Sequence, residues 1–221
     1  MADISDTFNR TDGALGSDWT LANGSADVST NRFRVVSTGF VSVIAIHNTS
    51  VGGSDQYIKC VFATNTNQEY PLVVLRYTDS GSPFYLFDIS GNSGNFEWIR
   101  HASVGGATTS ITSSTALGAF GSGSDSFGLT IEGTGIATTV RGWKNPTGDT
   151  PTSTSVWGGS GPGFTFTTDP ASPVDSGNLV GIGGGQNEQN IFFDTFFAGN
   201  FGATQSQAPR SMHQFRQRRV L

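Results

Sequence analysis

The chain has 221 residues and a net charge of −5, with 30 Gly, 26 Ser and 26 Thr, and only 13% charged residues. Two Lys, four Glu and nine Leu argue against a helical protein, while 17 Phe, 4 Trp and 4 Tyr offer more surface to bury than a disordered chain has. No apolar run approaches the ~20 residues of a membrane-spanning helix, no secretory signal is visible after Met1, and the lone Cys60 excludes an internal disulfide or a cysteine zinc cage.

Short runs rich in Val, Ile, Phe, Tyr and Thr recur every ten to fifteen positions and suit a pleated surface. They predict strands over Ile4–Phe8, Phe33–Val36 and Phe40–Ile46, then Tyr57–Ala63, which sets Ile58, Cys60 and Phe62 opposite Tyr57, Lys59 and Val61. Leu72–Tyr77 and Phe84–Ile89 follow, split by the turn signal Asp79-Ser80-Gly81-Ser82-Pro83, and then Phe96–Ile99. Phe127–Ile131 and Ile136–Val140 read as a hairpin through Glu132-Gly133-Thr134-Gly135. Leu179–Ile182 and Ile191–Ala198 close the series, with Gly183-Gly184-Gly185 as the turn between them. About eleven to thirteen strands and no helix indicate a sandwich or barrel. Two stretches read as long loops: Ser103–Gly123, and the Pro-rich Asn145–Pro173, whose Trp157, Phe164 and Phe166 imply that it packs down.

Charge is unevenly spread. Residues 1–202 hold 8 Lys+Arg against 17 Asp+Glu, a net of −9, whereas 203–221 hold four Arg and no acid. The domain division is therefore a β-sandwich over 1–202 and a basic, extended C-terminal arm over 203–221. In the arm Met212, Phe215, Val220 and Leu221 interleave with Arg210, Arg216, Arg218 and Arg219, combining apolar anchors with bidentate donors for docking on a neighbour. An acidic domain repels phosphates, so no nucleic-acid partner is expected.

The opening Asp6-Thr7-Phe8-Asn9-Arg10-Thr11-Asp12-Gly13-Ala14-Leu15-Gly16-Ser17-Asp18-Trp19 resembles that of concanavalin A-like (LamG-like) jelly-roll modules, found in phage virion proteins and carbohydrate-associated proteins. The closing Gly177-Asn178-Leu179-Val180-Gly181-Ile182 and Ile191-Phe192-Phe193-Asp194-Thr195-Phe196 are similar to that superfamily's last strands. The resemblance implies an all-β, two-sheet antiparallel jelly-roll sandwich with first and last strands side by side, and Phe8, Trp19 and Phe196 in the core. Some such modules bind calcium near these strands, where Asp6 and Asp194 stand; two isolated acids fall short of the six to eight oxygens calcium takes, so neither metal nor cofactor is expected.

Catalysis is not signalled. Glu69, Glu97, Glu132 and Glu188 are isolated, without the paired spacing a glycosidase of this superfamily uses, and neither a Gly-x-Ser-x-Gly elbow nor a phosphate loop occurs. His47, His101 and His213 are scattered.

Two readings follow, beside a third, a divergent glycoside hydrolase or polysaccharide lyase, that alanine at each of the four Glu would test. The first is a non-enzymatic bacteriophage virion protein (head decoration, tail or fibre component), anchored to capsid or tail subunits through the arm, homo-oligomeric in the particle and assembled in the host cytoplasm without a membrane partner. The alternative is a carbohydrate-binding module that adheres to host glycan. For the latter Trp98, Trp143, Trp157, Tyr70, Tyr77 and Tyr85 are the stacking candidates. Trp143, at a strand end, and Trp157, in the Pro-rich loop, are the two placed to reach an exposed edge, or else to anchor the loop.

Overall fold

The computed structural model describes residues 3–36, 42–64, 70–89, 95–114, 116–118, 120, 125–167, 172–185 and 191–201. Among them run β1 (Ile4–Asp6), β2 (Trp19–Asn23), β3 (Ala26–Val28), β4 (Phe33–Val35), β5 (Val43–His47), β6 (Gln56–Thr64), β7 (Pro71–Tyr77), β8 (Phe84–Ile89), β9 (Phe96–His101) and β10 (Thr108–Ser114). After these come β11 (Ser126–Glu132), a 3-10 turn at Gly135–Ala137, β12 (Thr139–Lys144), β13 (Phe164–Thr167), β14 (Leu179–Gly184) and β15 (Phe192–Asn200). One sheet, A, has the order β13-β12-β11-β6-β15-β4-β3, with β1 also paired to β15; the other, B, has the order β10-β9-β8-β7-β14-β5-β2. The fold is the expected all-β jelly-roll sandwich of two antiparallel sheets.

Period-two alternation builds it. Ile58, Cys60 and Phe62 point from β6 into the main core, beside Phe8, Phe33, Phe87, Phe96, Trp98, Phe127, Phe193 and Phe196. Each buried Phe contributes about 1.5–3 kcal/mol. Alternate residues of sheet B, among them Ile44, Ile46, Leu72, Val74 and Leu86, form a second apolar cluster on that sheet's other face. First and last strands lie side by side, Ile4 opposite Ala198 and Asp6 opposite Phe196.

The opening motif is a staple for this junction. Asp6 accepts hydrogen bonds from the Phe8 backbone N–H at 2.7 Å and from Trp19 Nε1 at 2.7 Å, and pairs with Arg10. Arg10 Nη1 in turn donates to the Leu15 carbonyl at 2.9 Å. Phe8 takes φ 52°, which turns the chain out of β1 and its ring into the core, so this strand stops at Asp6 rather than at Phe8.

Four strands escape the sequence pattern. β10 lies inside the stretch read as a loop, because an edge strand of sequence TTSITSS carries no apolar alternation. β13 lies inside the Pro-rich loop, while β2 and β3 are short. Ile136 belongs to the exposed 3-10 turn, and the hairpin's second strand starts at Thr139. Gly183 and Gly184 are in β14, not in a turn: a Cβ on Gly183 would overlap the Val43 carbonyl oxygen, so glycine here serves close packing of β14 against β5.

Candidate functional site

The Pro-rich loop folds back over the outer face of sheet A and builds a cleft there. Three side chains projecting from that face hold its backbone: Lys59 Nζ donates to Gly148 O at 2.7 Å, Thr130 Oγ1 to Thr154 O at 2.8 Å, and Arg141, paired with Glu132 at 2.5 Å, to Thr154 O at 3.3 Å. Trp157, fully buried, drops into the slot over Gly128, where a Cβ would come within 2.9 Å of the indole. It packs edge-on against Trp143 at 5.6 Å and Tyr57 at 6.0 Å between ring centroids. Trp157 Nε1 donates to Gly148 O at 3.3 Å, and Trp143 Nε1 to Ser160 O at 3.2 Å.

Where β12 runs into this loop, a cleft of about 270 Å³ opens between Trp143, Lys144, Asn145, Pro146 and Thr147 on one side and Leu117, Ser160 and Gly163 on the other. Asn145 sits at φ 53°, a conformation asparagine tolerates. Its Oδ1 accepts from the Ser126 N–H at 2.6 Å and its Nδ2 donates to Asp125 Oδ1 at 2.7 Å, so it ties the ends of β11 and β12 together. Lys144 Nζ pairs with Asp125 at 3.4 Å and lies 5.2 Å from the centre of the Phe120 ring.

Of the six aromatic candidates, the structure brings Trp143 to the cleft wall and sets Trp157 directly behind it. Both are buried, at 3% and 0% exposure, so of the two alternatives the structure bears out loop anchoring and not an exposed edge. Trp98 and Tyr85 belong to the main core and Tyr77 to the second cluster, while Tyr70 is 42% exposed at the start of β7 and outside the cleft. Arg210, Met212, Phe215, Arg216, Arg218, Arg219, Val220 and Leu221 lie outside the described residues, as do Glu69, Glu188 and His213. The sequence reading missed Lys144, Asn145, Thr147 and Ser160; the polar run directly after Trp143 was the available signal.

The acids are engaged elsewhere. Asp6 is taken up by three nitrogen donors and Asp194 lies 3.6 Å from Arg32. Among the described residues no group of three or more His, Cys, Asp or Glu stands close enough together to hold a metal ion. Asp88 and Glu97 stand opposite each other in the β8–β9 register, a pairing of two carboxylates that single-strand spacing could not reveal. His47, stacked against Phe196 with its Nδ1 accepting from the Thr49 N–H, and His101, stacked on Phe84, both titrate below the ordinary histidine value because burial disfavours the charged ring.

No protein-family model and no curated protein matches the chain. Solved structures do. The carbohydrate-binding module CBM66 from Bacillus subtilis is 12% identical, with 85% of this chain and 96% of that one covered and a TM-score of 0.50. The VIP36 exoplasmic/lumenal domain in its Ca2+/Man3GlcNAc-bound form is 11% identical over 86% of each chain, with a TM-score of 0.53. The GH43 protein BlXynB from Bacillus licheniformis is 14% identical over 89% of this chain but only 39% of its own, with a TM-score of 0.51. At such identities the likeness is one of fold alone, a sandwich of two antiparallel β-sheets.

Proposed function

We propose that this chain is a glycan-binding module that takes its ligand in the cleft beside Trp143. The observation that carries the reading is the make-up of that cleft. Half-buried Leu117 offers apolar surface to the C–H face of a sugar, with the buried Trp143 and Pro146 backing the cleft, and the exposed, hydroxyl-bearing Thr147 and Ser160 line it where sugar hydroxyls need partners. The neighbours in fold include a carbohydrate-binding module and a domain solved with Man3GlcNAc, which supports a glycan ligand. The virion role read from the sequence finds no support among the neighbours named above, and its arm lies outside the described residues.

A glycan array probed with the wild type, Trp143→Ala, Thr147→Val and Ser160→Ala tests the proposal. Binding by the wild type that weakens in the cleft variants and persists in Tyr70→Ala supports it; no binding anywhere on the array overturns it. Incubating each bound glycan with the protein checks the hydrolase alternative. Reducing ends that appear with the wild type and vanish with Glu97→Gln would replace binding with catalysis at the Asp88–Glu97 pair.

A further inference from the structure

Resting on that reading, we infer that the cleft takes neutral sugars and turns away uronic, sialic and sulfated ones, because the one cation among its described lining residues, Lys144, is already neutralised by Asp125. Lys144 is the one charged residue among the described residues that line the cleft. Its ammonium lies 3.4 Å from Asp125 Oδ2, with side-chain exposures of 29% and 19%, so the pair is partly withdrawn from water and incompletely screened by salt. Asp125 is not at liberty to swing away. Its other oxygen accepts from Asn145 Nδ2 at 2.7 Å, and Asn145 is itself fixed by the Ser126 backbone at 2.6 Å. The Phe120 ring beneath Nζ, at 5.2 Å, confines the ammonium further.

An incoming carboxylate or sulfate would have to share this ammonium with Asp125 and stand beside a second anion. The rest of the domain opposes the approach of acidic polymers at longer range, since residues 1–202 carry 17 acids against 8 bases. A neutral sugar meets neither cost and finds Leu117 and the hydroxyls of Thr147 and Ser160 unchanged. At about 270 Å³ the cleft is also smaller than the ~300–1,000 Å³ of sites that enclose drug-sized ligands, which suits a chain end or branch tip rather than a long internal run.

The experiment measures binding of the full chain to immobilised neutral polysaccharides (a β-glucan, a mannan, a galactan) and acidic ones (polygalacturonate, hyaluronate, heparin) in 0.15 M salt. The wild type is expected to bind at least one neutral glycan at least about tenfold more tightly than any acidic one, since like charges set side by side act as a specificity barrier. Asp125→Asn keeps an oxygen for the Asn145 amide and removes the charge; it should raise acidic binding at least about threefold, an effect the double variant with Lys144→Gln abolishes. Preference of the wild type for an acidic glycan overturns the inference, and needs no variant to be read. So does an Asp125→Asn protein that melts like the wild type and gains nothing on acidic glycans. Absence of wild-type binding to every glycan instead brings down the glycan reading itself, and this inference with it.

Discussion

Trp157→Ala tests whether the loop that builds the cleft is part of the folded unit. The indole is fully buried between Gly128, Trp143 and Tyr57. A tryptophan buries roughly 150–250 Å², which at about 25 cal/mol per Å² gives an upper bound near 4–6 kcal/mol. Large aromatic truncations in cores cost about 3–5 kcal/mol. Here the vacated space lies under a surface loop that is able to settle into it, so the lower end, about 3 kcal/mol, is expected. In a chain of this size that lowers the melting temperature by roughly 6–12 °C. Urea unfolding followed by far-UV circular dichroism reads the change as a shift in midpoint at nearly constant slope. A loss below about 1 kcal/mol would refute the reasoning: the loop would then be loosely attached, and the cleft not preformed.

Three further outcomes follow from the same contacts. Asp6→Asn leaves Arg10 without its anion and weakens the acceptor for Trp19 Nε1, at a cost of about 1.5–3 kcal/mol in urea unfolding. Gly183→Ala forces a methyl against the Val43 carbonyl in the middle of sheet B, and a destabilisation of about 1–3 kcal/mol or more is expected by thermal melting. For pH, burial lowers the titration of His47 and His101 from the ordinary 6.5, so below that value the unfolded chain binds protons that the folded chain refuses. Their contribution is constant above the unfolded value and is lost as pH falls from there toward the folded one; melting temperatures at pH 8.0 and 5.5 should differ less in His47→Phe than in the wild type.

Much of the sandwich is legible where side chains alternate. Phe84–Ile89 is read to the residue, and the two faces of β6 are assigned correctly, because burial on one side leaves a period-two signal. The signal fails where strands bury little, as in β10, whose side chains are largely exposed hydroxyls. It also misleads where glycine is chosen for lack of a side chain rather than for its backbone, as at Gly183. The cleft is legible only in part. Trp143 stands out in the sequence, yet the loop that covers it is fixed by distant partners, Lys59 to Gly148 and Thr130 to Thr154, and spacing within one segment carries no trace of them. Asp125 is hidden for the same reason: it meets Lys144 only because β11 and β12 pair, Phe127 opposite Lys144.

That pairing also decides at which scale the acidity of the domain acts. At 0.15 M salt the screening length is about 8 Å, so the excess of acids spread over the sandwich does little to a ligand already in the cleft. It slows the approach of acidic polymers, an effect that fades as salt rises. Asp125 lies within that length of the Lys144 ammonium, and its partial burial keeps its field intact. The two contributions therefore separate by ionic strength. If distributed charge governs selectivity, raising salt from 0.05 to 0.5 M should close the gap between neutral and acidic glycans in the wild type. If Asp125 governs it, most of the gap survives the salt and disappears with Asp125→Asn, and the second pattern is the one this geometry requires.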